Sequence, residues 1–174
     1  RPARPVLESR WEQPEAFDSY RVDDAGLAVG QDGRIRLYYK GRSATHGAGG
    51  PRRTRMGVAV ADARAGPFRR LGPGPIQDSG HEVLVFGHAG AWWSLVSPHG
   101  PRGRSLRFSF DGLGFDAHLL GALEGPALRA PGLFRPELGD GESALPGAVR
   151  WGLQMSGYGG EPGLERFEFR LPAG

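Results

Sequence analysis

Two pairs of ionisable residues stand at the entrances of apolar, alternating runs, and these are the places where acid and base chemistry could be housed. Ser79-Gly80-His81-Glu82 leads into Val83-Leu84-Val85-Phe86, and Asp23-Asp24 lies at the start of the run 22–29. A charged side chain placed against a buried strand is costly to desolvate, so it either finds a partner or serves a site. Asp24 and Glu82 are 58 residues apart, close to the 57 that separate the turn glycines Gly33 and Gly90, so a repeating chain would put the two acids in equivalent places. Two carboxylates around one pocket can serve as proton donor and as base, nucleophile or orienting group in glycoside hydrolysis. A histidine beside them can take the donor's part, because its pKa lies near neutrality. The same residues equally suit a capped turn and a solvated rim. Adjacent residues on a regular strand face opposite sides, so His81 and Glu82 share a pocket only where the backbone is irregular, and Gly80 can supply that irregularity.

The elements that would position these residues are hairpins. The run 22–29, the turn Gln31-Asp32-Gly33 and the return 34–40 read as one antiparallel pair. A Gly-rich loop at 47–51 leads to a third strand at 54–61 and a fourth at 67–71. The pattern begins again with a hairpin over 83–96 that turns at Gly87-His88-Ala89-Gly90, followed by strands at 105–110 and 115–119. A third unit starts at Gly132-Leu133-Phe134-Arg135-Pro136-Glu137 and continues through 148–155 and 164–171. Four-strand units of this length predict blades of a β-propeller, because one small sheet cannot bury both faces alone. The expected division is a lead-in over 1–20 and blades over 21–72, 79–121 and 130–172, an all-β partial propeller of two and a half to three blades. A β-sandwich of the same strand count is the rival architecture. The best helical candidate is 14–19, a turn or two at most. Trp92-Trp93 alternate across a strand, so one is expected between blades and the other in a different layer, with sugar stacking the lesser alternative.

Composition removes several classes of function. The 174 residues carry a net charge of +3 with no long basic run, since Arg52-Arg53-Thr54-Arg55 is short, and nucleic acid is therefore not an expected partner. There is no cysteine, so thiolate nucleophiles, thiolate metal sites and disulfides are excluded. No apolar run approaches the roughly 20 residues of a membrane-spanning helix, and no signal-peptide pattern opens the sequence. The first residue is Arg1 rather than Met, which reads as a chain beginning inside a larger frame or processed. His46, His88, His99 and His118 lack metal-ligand spacing; no cofactor is expected, and a structural divalent cation in the channel is the one ion that fits.

The ordered set Val22-Asp23-Asp24-Ala25, Leu37-Tyr38-Tyr39-Lys40-Gly41-Arg42, Gly57-Val58-Ala59-Val60-Ala61-Asp62, Gly66-Pro67-Phe68, Ser79-Gly80-His81-Glu82-Val83, His99-Gly100-Pro101 and Gly132-Leu133-Phe134-Arg135-Pro136-Glu137 closely resembles glycoside hydrolase family 117. The resemblance covers most of 20–155. It implies a five-bladed propeller related to families 43 and 32, exo-acting on neoagaro-oligosaccharides from which it removes 3,6-anhydro-L-galactose. By position, Asp24 resembles the second acid of the family, with Asp23 as the register alternative. Glu82 resembles the third acid, and His81 the histidine proposed there as general acid. Arg135 and Arg42 are candidates for binding substrate hydroxyls, Arg135 having Glu137 or a channel acid as its alternative partner. The family's catalytic base, an aspartate of the first blade, has no counterpart here and would lie upstream of Arg1, as would the segment that such proteins exchange in a homodimer. The chain alone is accordingly expected to be inactive. The rival readings are a carbohydrate-binding or structural propeller and another family 43-like exo-glycosidase such as an arabinosidase or xylosidase.

Overall fold

The computed structural model describes residues 5–78, 84–88, 90–95, 105–115, 119–122, 132–133, 149–157 and 160–170. Eleven strands among them form three antiparallel sheets, each in chain order. The first holds β1 (Arg21–Val29), β2 (Ile35–Arg42), β3 (Arg55–Ala61) and β4 (Arg69–Arg70). The second holds β5 (Leu84–His88), β6 (Ala91–Leu95), β7 (Ser105–Ser109) and β8 (Leu119–Ala122). The third holds β9 (Gly132–Leu133), β10 (Val149–Ser156) and β11 (Gly163–Arg170). β1 lies against β5, so the first strands of the two four-stranded sheets are neighbours, as in a propeller whose innermost strands ring an axis.

The hairpins form where turn chemistry and alternation agree. Gly33 and Gly90 adopt φ of 76° and 72°, a left-handed conformation that glycine enters without a Cβ penalty. On β2, Leu37 and Tyr39 face one side of the sheet and Tyr38 the other, the period-2 division of a strand buried on both faces.

The core between the sheets is built from both. Ala28, Tyr38, Met56 and Val58 of the first sheet meet Val85 and Trp92 of the second, with Ile76 and Phe115 from the connections. Tyr38 packs on Trp92 at 6.0 Å and edge-on to Phe115 at 6.4 Å between ring centroids. Its hydroxyl donates to the Gly112 carbonyl at 3.3 Å. The Arg36 guanidinium lies 4.7 Å over the Trp92 ring and donates to the Asp111 carbonyl, a second polar tie between the sheets. Trp93 takes the other face of its sheet, with Phe86, Leu95 and Leu106. The tandem tryptophans therefore divide as their alternation predicts, and both are core. Three strands depart from expectation, the first being β5, which runs on through Gly87 and His88, paired with Trp92 and Ala91, where a turn is expected. The fourth shortens to Arg69–Arg70. The eighth begins at Leu119, because Phe115 is spent as a fully buried plug between the sheets, its amide bound to the Ile76 carbonyl at 3.2 Å.

The outer face of the first sheet is covered by the lead-in. Residues 14–19 form turns, not a helix, and insert Phe17 beside Leu37, Tyr39 and Ala59. Gly41 makes the room, since a Cβ there would stand 2.5 Å from Phe17 Cε2. Next to Phe17, Asp18 is completely buried and bound on both oxygens. Arg10 Nε donates to Oδ1 at 2.6 Å, while Arg70 Nε and the Tyr39 hydroxyl donate to Oδ2 at 2.8 and 3.0 Å. Two cations and a phenol thus satisfy a carboxylate that would otherwise be prohibitively desolvated.

This cluster has a titration signature. Burial first, then the Asp18 charge, push the Tyr39 phenol up to about 12 from its ordinary 10, with Arg70 opposing. The folded chain therefore holds that proton more tightly than the unfolded one. The resulting stabilisation, on the order of 3 kcal/mol, is complete below pH about 10 and is lost as the pH rises to about 12. Ultraviolet difference titration should show a late phase, near pH 12, that Tyr39→Phe removes. A single transition near pH 10 while the protein stays folded would contradict it.

Candidate active site

The acids at the start of β1 sit at a break in the ladder. Counting back from the Gly33 turn, β1 and β2 pair regularly from Val29↔Ile35 to Gly26↔Tyr38, then resume at Asp23↔Lys40. Asp24 and Ala25 together oppose Tyr39, which makes this a β-bulge, and Asp24 takes φ of 47°. Among the described residues it is the only one other than glycine with positive φ. An aspartate tolerates that region better than most side chains, yet the conformation still costs energy, of order 1 kcal/mol. Bulges turn a side chain out of its regular direction and cluster beside active sites.

Lys40 is what the bulge brings into play. Its ammonium stands 3.1 Å from Asp23 Oδ1 and 2.5 Å from Asp24 Oδ2, with the lysine side chain only 11% exposed. Arg21 pairs with the other oxygen of Asp23. Both Asp23 oxygens are shut off from solvent, within ion-pair reach of a cation but outside hydrogen-bond geometry. Asp24 accepts a hydrogen bond from Lys40 and keeps a third of its side chain exposed. The two acids therefore differ in kind: Asp23 is bound into the strand, and Asp24 is presented. Two carboxylates and two cations leave the start of β1 locally neutral.

Lys40 does not stand out in the sequence, although a signal for it exists. Extending the hairpin register from Gly33 without interruption would set Lys40 directly opposite Asp24; the bulge slides it opposite Asp23 and leaves both acids in reach.

Arg42 ends β2, opposite Arg21. Its Nη2 donates to the Gly47 carbonyl at 2.6 Å and its guanidinium lies 5.4 Å over the Tyr20 ring, so it is held along the loop that follows β2. His81, Glu82 and Arg135 lie outside the described residues. The nearest described residue before His81 is Asp78, whose Oδ1 accepts from the fully buried Arg107 Nη1 at 2.6 Å. Among the described residues no group of three or more histidine, aspartate or glutamate side chains gathers to hold a metal ion.

Consecutive antiparallel sheets with adjoining first strands are the arrangement of neighbouring propeller blades. Solved structures agree. The chain is similar to a family 117 glycoside hydrolase produced by the marine bacterium Zobellia galactanivorans, at 24% identity and TM-score 0.64, over 83% of this chain and 39% of that one. It is also similar to the family 43 protein BlXynB from Bacillus licheniformis, at 16% identity and TM-score 0.55, over 92% and 30% of the two chains. A third likeness is to an α-L-arabinofuranosidase of family 43 from Clostridium thermocellum, at 14% identity and TM-score 0.53, over 95% and 52%. The fold is thus a family 117-like, family 43-related propeller, and the chain spans between about a third and a half of the length of these structures. No protein-family model and no curated protein matches the sequence.

Proposed function

We propose that this chain belongs to an exo-acting glycoside hydrolase that removes 3,6-anhydro-L-galactose from neoagaro-oligosaccharides by acid and base chemistry in the propeller channel. The observation that carries the reading is the presentation of Asp24: a charged side chain in a costly left-handed conformation, held by Lys40 at the start of the innermost strand. In this reading His81 gives its proton to the glycosidic oxygen as the bond to the leaving sugar breaks. Asp24 and Glu82 hold the sugar and tune His81, while Asp23, Arg42 and Arg135 complete substrate binding. Water attacks the anomeric carbon from the opposite face and gives its proton to a base that the family resemblance matches to no residue of this sequence.

The family 43 likenesses favour one second reading, an exo-glycosidase of the arabinosidase or xylosidase kind on the same scaffold. Chromatography of products from neoagaro-oligosaccharides and from aryl arabinosides and xylosides, with the protein expressed from its complete reading frame, separates the two. Release of single anhydrogalactose units from non-reducing ends supports the first. Cleavage of the aryl pentosides alone transfers the site to the second. Binding without cleavage of any of them makes the propeller a carbohydrate-binding module.

A further inference from the structure

Residues 33–61 contain seven arginines and lysines and not one carboxylate. Three of the cations are matched by acids elsewhere: Arg34 by Asp62, Arg36 by Asp32 and Lys40 by Asp23 and Asp24. Arg42, Arg52, Arg53 and Arg55 have no carboxylate partner among the described residues. The fold gathers them. They flank or belong to the 3-10 segment Ala44–Arg53, which joins β2 to β3 at the end of the sheet where β1 begins. There Arg21 pairs with Arg42, Asp23 with Lys40, and Gly41 with Arg55. Arg42 is thus two residues beyond Lys40, about 7 Å along the strand, and Arg55 is two strand spacings from β1, roughly 10 Å. The Arg42 spacing fits a saccharide seated at Asp24 and extending by one or two units, whereas Arg55, paired with Gly41 on the face that Phe17 covers, reaches the His46 cluster round the end of the sheet.

The group at the centre of these arginines is His46. It is half-buried, and its Nδ1 is shut off from solvent with no hydrogen-bond partner. Burial, and then the charges of Arg55, Arg53 and Arg42, hold its pKa below the ordinary value. A neutral imidazole with an idle buried nitrogen, ringed by guanidinium groups that lack counterions, is a site short of an anion. Tyr20 adds an apolar platform next to Arg42: the residue is 62% exposed, and the Arg42 guanidinium covers one side of its ring. Because Lys40 and Arg21 already neutralise Asp23 and Asp24, nothing described at the start of β1 repels a negative ligand.

We infer that Arg42, Arg53, Arg55 and His46, with Tyr20, form a subsite beside Asp24 that receives an acidic substituent of the saccharide, a sulfate ester or a uronic carboxylate. This rests on the glycosidase reading for its placement next to the reacting sugar, while anion binding itself stands apart from catalysis. The isolation of the cluster at one end of one sheet, next to the presented acid, favours a substituted sugar over the long phosphate track of a nucleic acid.

Titration calorimetry on the protein from its complete reading frame tests it with matched ligands: a sulfated galacto-oligosaccharide and its desulfated form, an oligogalacturonate and its methyl ester, and a single-stranded oligonucleotide. Arg53 and Arg55 are exposed, so Arg53→Ser/Arg55→Ser leaves the fold intact. The expected result is that one acidic sugar binds at least tenfold tighter than its neutral partner, and that the double variant loses this preference but still binds the neutral sugar. Preference for the sulfated or the carboxylated ligand identifies the substituent. NMR titration of His46 should show its pKa rising when the preferred ligand, or inorganic sulfate, is added, since an anion favours the imidazolium. Equal binding of acidic and neutral sugars, an unaffected double variant, or an arginine-dependent preference for the oligonucleotide overturns the inference. Hydrolysis of neutral neoagaro-oligosaccharides without acidic preference would spare the glycosidase reading, and arginine-dependent acidic binding without hydrolysis of any sugar would do the reverse.

Discussion

Replacing Asp18 with alanine should destabilise the folded chain by about 3–5 kcal/mol. The carboxylate is fully buried, and its loss leaves Arg10 and Arg70, 16% and 21% exposed, without their shared counterion. It also strips the Tyr39 hydroxyl of its acceptor in the core. The same residue fixes the lead-in to the sheet, because Arg10 further donates to the Pro73 carbonyl and Arg70 to the Glu8 carbonyl. Breaking the carboxylate therefore frees chain on both sides. Asp18→Asn, which keeps the shape and one acceptor, should cost less than Asp18→Ala. Urea unfolding measures both. A loss under about 1 kcal/mol for alanine would mean that Phe17 and its apolar neighbours hold the lead-in unaided.

The second large effect belongs to Asp24. Asp24→Gly should lower kcat/KM by about 10²–10⁴ while changing stability by no more than about 1 kcal/mol in either direction. Glycine relieves the left-handed backbone at φ of 47°, and that gain offsets the lost pair with Lys40, a third exposed and so partly screened. A residue retained for packing would show the opposite pattern, with stability falling and rate surviving. Kinetics and unfolding on one preparation distinguish them. Strong destabilisation with activity intact would make Asp24 a structural residue of the bulge.

The hairpins were legible in the sequence because alternation and turn glycines agreed, although a bulge breaks the register at Asp24 and Ala25 and β5 runs on through Gly87 and His88. Trp92 and Trp93 could be divided between two layers for the same reason. Phe115 was not legible as a plug, since its apolar character suits the start of a strand equally well, and only the Ile76 connection decides between them. Asp18 gave no signal at all. Its partners Arg10, Tyr39 and Arg70 lie 8, 21 and 52 residues away, and no local pattern announces that an irregular lead-in folds back over β2 and β3. At the site, Asp23 and Asp24 were visible as a pair, but their division of labour depends on a bulge that shifts the register by one residue. The uninterrupted register already sets Lys40 opposite Asp24, and only its reach to both acids depends on the bulge. His81, Glu82 and Arg135 rest on the family resemblance and lie outside the described residues.

If His81 and Glu82 share one hydrolytic site with Asp24, cleavage depends on each of them. The most direct measurement is the initial rate of neoagaro-oligosaccharide hydrolysis by the protein from its complete reading frame, beside His81→Ala and Glu82→Ala, with circular dichroism to verify folding. The unaltered protein should cleave these oligosaccharides, and kcat/KM should fall by about 10²–10⁴ for each variant at unchanged fold. A well-folded protein that binds these sugars without cleaving them, or that keeps its rate after both substitutions, would contradict it.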